Sequence, residues 1–236
     1  MADLASKKPS VVSRQEWLKA RQEHLNKEKE FTRLRDQLSR QRRQLPMVKV
    51  EQEYLFEGAD GQETLSDLFA NASQLIVYQF MYGADWDAGC TSCSFWADNF
   101  DGIDIHLKQC DITLLAISNA PLQRLEDYKQ RMRWRFKWVS SYGNDFNRDY
   151  HVSFSAEEIA AGPVYYNYRQ TKFPSDEAPG ISVFLKDNGE IFHTYSCYAR
   201  GLDMLNGAYH FIDLAPKGRQ EEEQGAMHWL SRHDEY

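Results

Sequence analysis

Two cysteines separated by two residues, Cys90 and Cys93 within "MYGADWDAGCTSCSFWADNF" (residues 81–100), are the side chains of this sequence best placed for chemistry. Thiols in this spacing can close a disulfide on each other, so the pair can attack a foreign disulfide and then release the product. The stretch follows a continuous apolar run, "SQLIVYQFMY", turns through glycines and aspartates, and then takes on helical periodicity. Cys90 therefore falls at the first turn of a helix, where unpaired backbone N–H groups and the positive end of the helix dipole favour a thiolate. Cys93, Trp96, Ala97 and Phe100 lie on the face that must pack, which makes Cys93 the more buried thiol. The reading is an accessible nucleophile at Cys90 and a resolving thiol at Cys93. A metal site needs two more ligands, and no second cysteine pair or closely spaced histidine pair is present, so no metal and no organic cofactor are expected.

Other residues are candidates for accessory roles. Asp85 and Asp87 precede the pair; either can take a proton from the resolving thiol, and the alternative is that they cap the helix or face water. Trp86 is a flat wall beside the active sulfur or an aromatic anchor for the loop. Pro179 stands just before the strand-like "GISVF", where thioredoxin-like folds place a cis proline beside the dithiol; an ordinary loop proline is the alternative. Cys197, in "TYSCYARG", reads as structural unless the fold brings this strand end to Cys90, and Cys110 reads as a packed residue. Arg200 offers a positive charge to a thiolate or an anionic substrate, although a surface ion pair is the commoner fate of an arginine.

The elements that must position these residues are legible in part. "SRQEWLKARQEHLNKEKEFTRLRDQLSRQRRQLP" opens with a capping box, Ser13 and Glu16, lacks glycine and ends at Pro46, so it predicts one long helix. Its apolar stripe, centred on Phe31, Leu34, Leu38 and Leu45, suits packing on its own domain or pairing with a second copy as a homodimer. "MVKVEQEYLFEG" predicts a half-buried strand ending in the turn "GADGQ", and "TLSDLF" a short helix. Two buried strands, "SQLIVYQFMY" and "DITLLAIS", joined by a helix from Cys90 to about Lys108, imply a right-handed crossover and a parallel pair. "PLQRLEDYKQRM" is a helix begun at a proline, and Asn188 and Gly189 mark a tight hairpin. "GLDMLNGAYHFIDL" is a final helix, and residues 220–236 read as a polar, loosely held tail. The segments "WRFKWVSSYGNDFNRDYHVSFS" and "GPVYYNYRQTKFPSDEAPG" give no clear pattern. Three parts follow: a charged helical extension over 1–46, an α/β domain over 47–219, and the tail.

Residues 1–45 carry 12 basic and 6 acidic side chains against a whole-chain charge of −7, which leaves −13 on the remainder. That body has no basic stripe for nucleic acid. The opening residues lack the apolar middle of a secretory signal, and no run is long enough to cross a bilayer, so the expectation is a cytoplasmic protein that engages no membrane. Four cysteines in 236 residues are too few for a disulfide scaffold and suit a reducing compartment.

The segments "SQLIVYQFMYGADWDAGCTSCSFWADNFDGI", "DFNRDYHVSF" and "HTYSCYARGLDMLNGAYHFIDLAPKGR" resemble the thioredoxin-like family of mainly bacterial proteins known as domain of unknown function 899, labelled predicted dithiol-disulfide oxidoreductases. The likeness runs from about Val11 to Arg219 and includes the leading helix. It implies a thioredoxin fold of the peroxiredoxin-like kind, with a central mixed sheet, helices on both faces, and Cys90 and Cys93 as the redox pair. It also implies a protein or small-molecule disulfide or thiol as substrate and a separate reductant. Thioredoxin itself places tryptophan directly before its first cysteine, whereas Trp86 is four residues earlier here. Peroxiredoxins carry threonine three residues before the attacking cysteine; Asp87 stands there, which argues against peroxide reduction. The family usually has a small hydroxyl residue where Cys197 stands. The competing class is a binding or scaffold protein that keeps the fold while its thiols do no chemistry.

Overall fold

A computed structural model of the chain describes residues 9–236; the first eight residues of the expected extension lie outside the described residues. The chain divides into two compact units at Pro46. The first is helix α1 (Arg14–Arg42), begun by the Ser13 and Glu16 capping box and ended before Pro46. None of its residues is buried, and Trp17, Leu18, Leu25, Phe31, Leu34 and Leu38 are exposed.

The second unit is built on an eight-stranded sheet. Its centre is β4 (Gln74–Gln79), whose alternate residues face opposite sides: Leu75 and Val77 enter one core, Tyr78 and, just beyond the strand, Phe80 the other. Helix α2 (Thr91–Phe100) carries the chain to β5 (Ile112–Ser118), parallel to β4, and α4 (Leu122–Met132) carries it to β6 (Lys137–Ser140), parallel to β5. On the other side of β4 lies the antiparallel hairpin of β9 (Gly180–Asp187) and β10 (Glu190–Tyr198), turned at Asn188 and Gly189, both at positive φ. A 3-10 segment (Ala199–Leu205) and α7 (Gly207–Leu214), capped by the Asn206 side chain, follow. A parallel βαβ pair joined to an antiparallel hairpin in the order β10-β9-β4-β5 is the thioredoxin arrangement, and β6 extends it.

One core, under α2, α4 and α7, is dense in aromatic rings, among them Phe80, Trp134, Phe136 and Trp138. The opposite core lies beneath a 3-10 turn (Asp67–Phe69) and the short α5 (Phe146–Asp149), with Leu68, Phe69 and Phe146 fully buried. A third, smaller cluster gathers Val152, Phe154 and Tyr166 around a two-stranded hairpin, β7 (Val164–Tyr166) and β8 (Arg169–Thr171), which follows α6 (Ala156–Ala161).

Several expectations about the fold are corrected. The single strand read over residues 47–58 is two strands, β1 (Val48–Lys49) beside β10 and β2 (Leu55–Gly58) beside β6; they lie toward opposite ends of the sheet, and β2 turns into β3 (Gly61–Thr64). The helix expected from Cys90 to Lys108 stops at Phe100, because Gly102 takes a positive φ of 89° that ends helical geometry; α3 (Asp104–Leu107) and a 3-10 turn complete the segment. The tail over residues 220–236 forms no helix or strand, yet it is tied to the body rather than loose. Trp229 packs edge-on against Phe95, and Arg131 pairs with Asp234 and Glu235. Cys110, expected to be packed, is exposed. No helix of the described residues is long and apolar enough to cross a membrane.

Candidate active site

The chain leaves β4 at its carboxyl end, crosses a loop over residues 81–89 and enters α2. Cys90 is the N-cap of that helix, a place more often held by serine or aspartate, and its side chain makes no capping hydrogen bond. Its Sγ meets the Ser92 hydroxyl at 3.1 Å, and the backbone N–H groups of Cys93 and Ser92 at the start of the helix favour its ionised form. The Cys93 thiol also donates to it. That bond is the largest single cause that brings the Cys90 thiol down to about 6, against the opposing effect of partial burial. Cys90 is half-buried and Cys93 fully buried.

The environment of Cys93 works in the other sense. Burial pushes its pKa well above the ordinary thiol value, and its bond to Cys90 adds to the rise. Two donors wait on the same sulfur, the backbone N–H of Met81 at 3.5 Å and the phenol of Tyr78, and both favour its ionised form. The two neighbouring thiols thus have pKa values driven apart, Cys90 toward the thiolate and Cys93 toward the thiol. No disulfide is formed among the four cysteines.

The accessory candidates are placed as follows. Asp85 and Asp87 are exposed; the groups that lower Cys90 are Cys93 and Ser92 rather than these carboxylates. Trp86 is an anchor: its indole N–H donates to Asp176, and it packs so closely over Gly83 that a Cβ there would stand 2.7 Å from Nε1. Arg124 of α4 fixes the same loop through the carbonyls of Ala84 and Trp86. Pro179 follows a trans peptide bond, since no cis bond occurs among the described residues; its carbonyl accepts from the Tyr166 phenol. Cys197 lies on β10 opposite Ile181 and packs at the margin of the core that holds Cys93, and the phenol of Tyr166 feels both sulfurs. Arg200 pairs with Asp203 at the surface, its side chain 85% exposed. The described residues contain no group of three or more ligands suited to a metal ion.

One buried acid escaped the sequence reading. Glu177, 2% exposed, accepts from Ser153 at 2.7 Å and Asn119 at 3.0 Å, joining the segment before Pro179 to the end of β5. Burial raises its pKa to about 7 in spite of these donors.

The βαβ and hairpin order, with a cysteine pair where the first central strand feeds its helix, defines a thioredoxin-like protein. The chain belongs to the family described as bacterial protein of unknown function (DUF899), whose model matches residues 6–236. Solved structures of similar fold include the peroxidoxin BcpB from Mycobacterium tuberculosis, at 11% identity and a TM-score of 0.45, covering 71% of this chain and 97% of that one. A peroxiredoxin Q from Xanthomonas campestris is 15% identical with a TM-score of 0.44, covering 65% and 87%. A structure from Chlorobium tepidum described as a putative thiol:disulfide interchange protein DsbE is 15% identical with a TM-score of 0.40, covering 74% and 99%. Among curated proteins, no match to the chain is found. The assignment of class rests on the strand order.

Iodoacetamide alkylation followed across pH, with peptide mapping, is expected to show Cys90 reacting with a midpoint near pH 6 and Cys93 inert throughout that range. A Cys90 midpoint above about pH 8 would contradict the site as described. Glu177 makes a second test. Its folded pKa lies above the unfolded value of 4.5, so its contribution to stability is present in acid and lost as pH rises through about 7. Glu177→Gln is expected to remove a fall of a few kcal/mol in unfolding free energy between about pH 5 and about pH 8, measured by urea titration at both values.

Proposed function

We propose that this protein is a dithiol-disulfide oxidoreductase. The observation that carries the reading is the opposed pair of thiols: Cys90 ionises easily at the head of α2, while Cys93, buried beneath it, keeps its proton. In the first step the Cys90 thiolate attacks one sulfur of a substrate disulfide. The substrate S–S bond breaks, a mixed disulfide with Cys90 forms, and the departing thiolate takes a proton. Cys90 is then no longer an anion, so its part in keeping Cys93 protonated is lifted while burial still acts, and the Met81 N–H and the Tyr78 phenol support the Cys93 thiolate as it forms. Cys93 gives up its proton and attacks Cys90 Sγ, the mixed disulfide breaks, and the second substrate sulfur leaves as a thiolate that takes a proton. The two electrons come from the dithiol, which ends as a Cys90–Cys93 disulfide, and a separate reductant restores it.

Whatever stabilises the reduced, ionised form makes the disulfide more oxidising, so the Ser92 hydroxyl and the helix amides raise the reduction potential. The substrate is a disulfide of a protein or small molecule, and four cysteines in 236 residues suit a reducing compartment such as the cytoplasm. Peroxide reduction is the weaker reading, because Asp87 occupies the position at which peroxiredoxins carry threonine.

Insulin reduction by dithiothreitol, followed by turbidity, is expected to be accelerated by the parent protein and to return to the uncatalysed rate with Cys90→Ser. Equal rates for the two would favour the binding or scaffold reading. We infer further that the exposed apolar stripe of α1 pairs with a second copy. Sedimentation at micromolar concentration is then expected to give a dimer for the parent and a monomer for the double change Phe31→Glu and Leu38→Glu; a monomeric parent would remove the idea.

A further inference from the structure

The peptide bond between Gly89 and Cys90 is held from both sides. The Cys90 N–H donates to the Met81 carbonyl at 3.0 Å, and the Gly89 carbonyl accepts from Arg232 Nη2 at 2.9 Å, across 143 residues of sequence. Gly89 leaves no slack, because a Cβ there would stand 2.8 Å from Phe80 and 2.9 Å from Tyr128. The same guanidinium donates from Nε to the Tyr128 phenol at 2.8 Å. The phenol, having accepted that bond, turns its own hydrogen to Ser94 Oγ at 2.9 Å, and the Ser94 hydroxyl donates to the Cys90 carbonyl at 2.9 Å. One cation therefore orders the carbonyls on both sides of the Cys90 Cα, one directly and one through two hydroxyls.

Arg232 is itself fixed by its surroundings. Glu235 accepts from its Nη1 and also from Arg131, whose Nε and Nη2 grip Asp234 in two bonds. On the outer side of α2, His233 meets Asp98 at 2.7 Å. The final segment thus lies against the redox helix and is tied down before the arginine by Trp229 on Phe95 and after it by His233, Asp234 and Glu235.

We propose that Arg232 is a positioning residue for the dithiol, and that residues 220–236 form a strap without which the turn into α2 does not hold the Cys90 sulfur at the head of the helix. The inference rests on the oxidoreductase reading only for its catalytic consequence; the geometry it invokes is independent of that reading. A planar guanidinium serves two acceptors in diverging directions, which a lysine ammonium on a single flexible stem does not reproduce.

The test uses the full-length protein and Arg232→Gln, with hydrogen exchange at the Cys90 amide and iodoacetamide alkylation of Cys90 from about pH 5 to about pH 9 as the two readouts. Exchange is expected to quicken by about tenfold or more, the effect of losing a charge-assisted bond. The alkylation midpoint is expected to rise by about one pH unit or more toward the ordinary thiol value of about 8.5. Arg232→Lys is expected to recover less than half of that rise. Unchanged exchange and midpoint in Arg232→Gln overturn the proposal, and so does faster exchange with an unchanged midpoint, which would leave the strap purely structural. If Arg232→Gln does not fold, Arg131→Gln, which unties the strap at Asp234 and Glu235 without touching the redox loop, is judged by the same two criteria. Should the parent show no acidic thiol, the oxidoreductase reading falls, and the exchange rate at Cys90 alone decides the strap.

Discussion

A helix begins with backbone N–H groups that have no partner inside it, and at α2 the capping place is held by a cysteine whose side chain makes no capping hydrogen bond. Much of the site follows from that substitution. A neutral thiol is a poor acceptor and a thiolate a good one, so the need to satisfy the first turn becomes a preference for the ionised form of Cys90. The helix can present the sulfur only because Cys93, Trp96, Ala97 and Phe100 anchor its other face in the aromatic core. Burial of that face is also what keeps the second thiol neutral. Packing and acidity are thus two results of one placement.

The loop before the helix contributes by being held rather than by being charged. Trp86 binds Asp176, Arg124 takes two loop carbonyls and Arg232 a third, so residues 81–89 are fixed from three elements distant in sequence. The aspartates in the same loop point to water. The polar groups beside the sulfur are backbone dipoles and a hydroxyl, which the fold holds in place.

What the sequence disclosed follows the range of the forces concerned. Cys90 and Cys93 were legible because strand, turn and helix succeed one another within about thirty residues, each with its own period. The capping box of α1 and the Asn188 and Gly189 turn were legible for the same reason, being local chemistry. β6 was not, since Trp138 enters one core and Val139 the other, so a strand buried on both faces shows no alternation. The end of α2 was hidden by Ile103 and Ile105, which continue an apolar pattern past Gly102. The strand read over residues 47–58 had the right alternation, but nothing local says that two halves of it join different neighbours. Arg232 and Glu177 lie beyond any local signal: an arginine in a polar tail and a glutamate in a loop look like surface residues until the fold closes over them.

The division of that strand has a geometric corollary. β1 and β2 stand six strand spacings apart in the order of the sheet, about 29 Å if it were flat. The chain from Lys49 to Leu55 has six Cα steps, which reach about 22 Å at full extension. The sheet must therefore bow, and this short run is the chord that fixes its arc. Val50 and Tyr54, on that chord, pack into the core on the concave side, so the depth of that hollow is set by covalent length as well as by the volume of the rings that fill it.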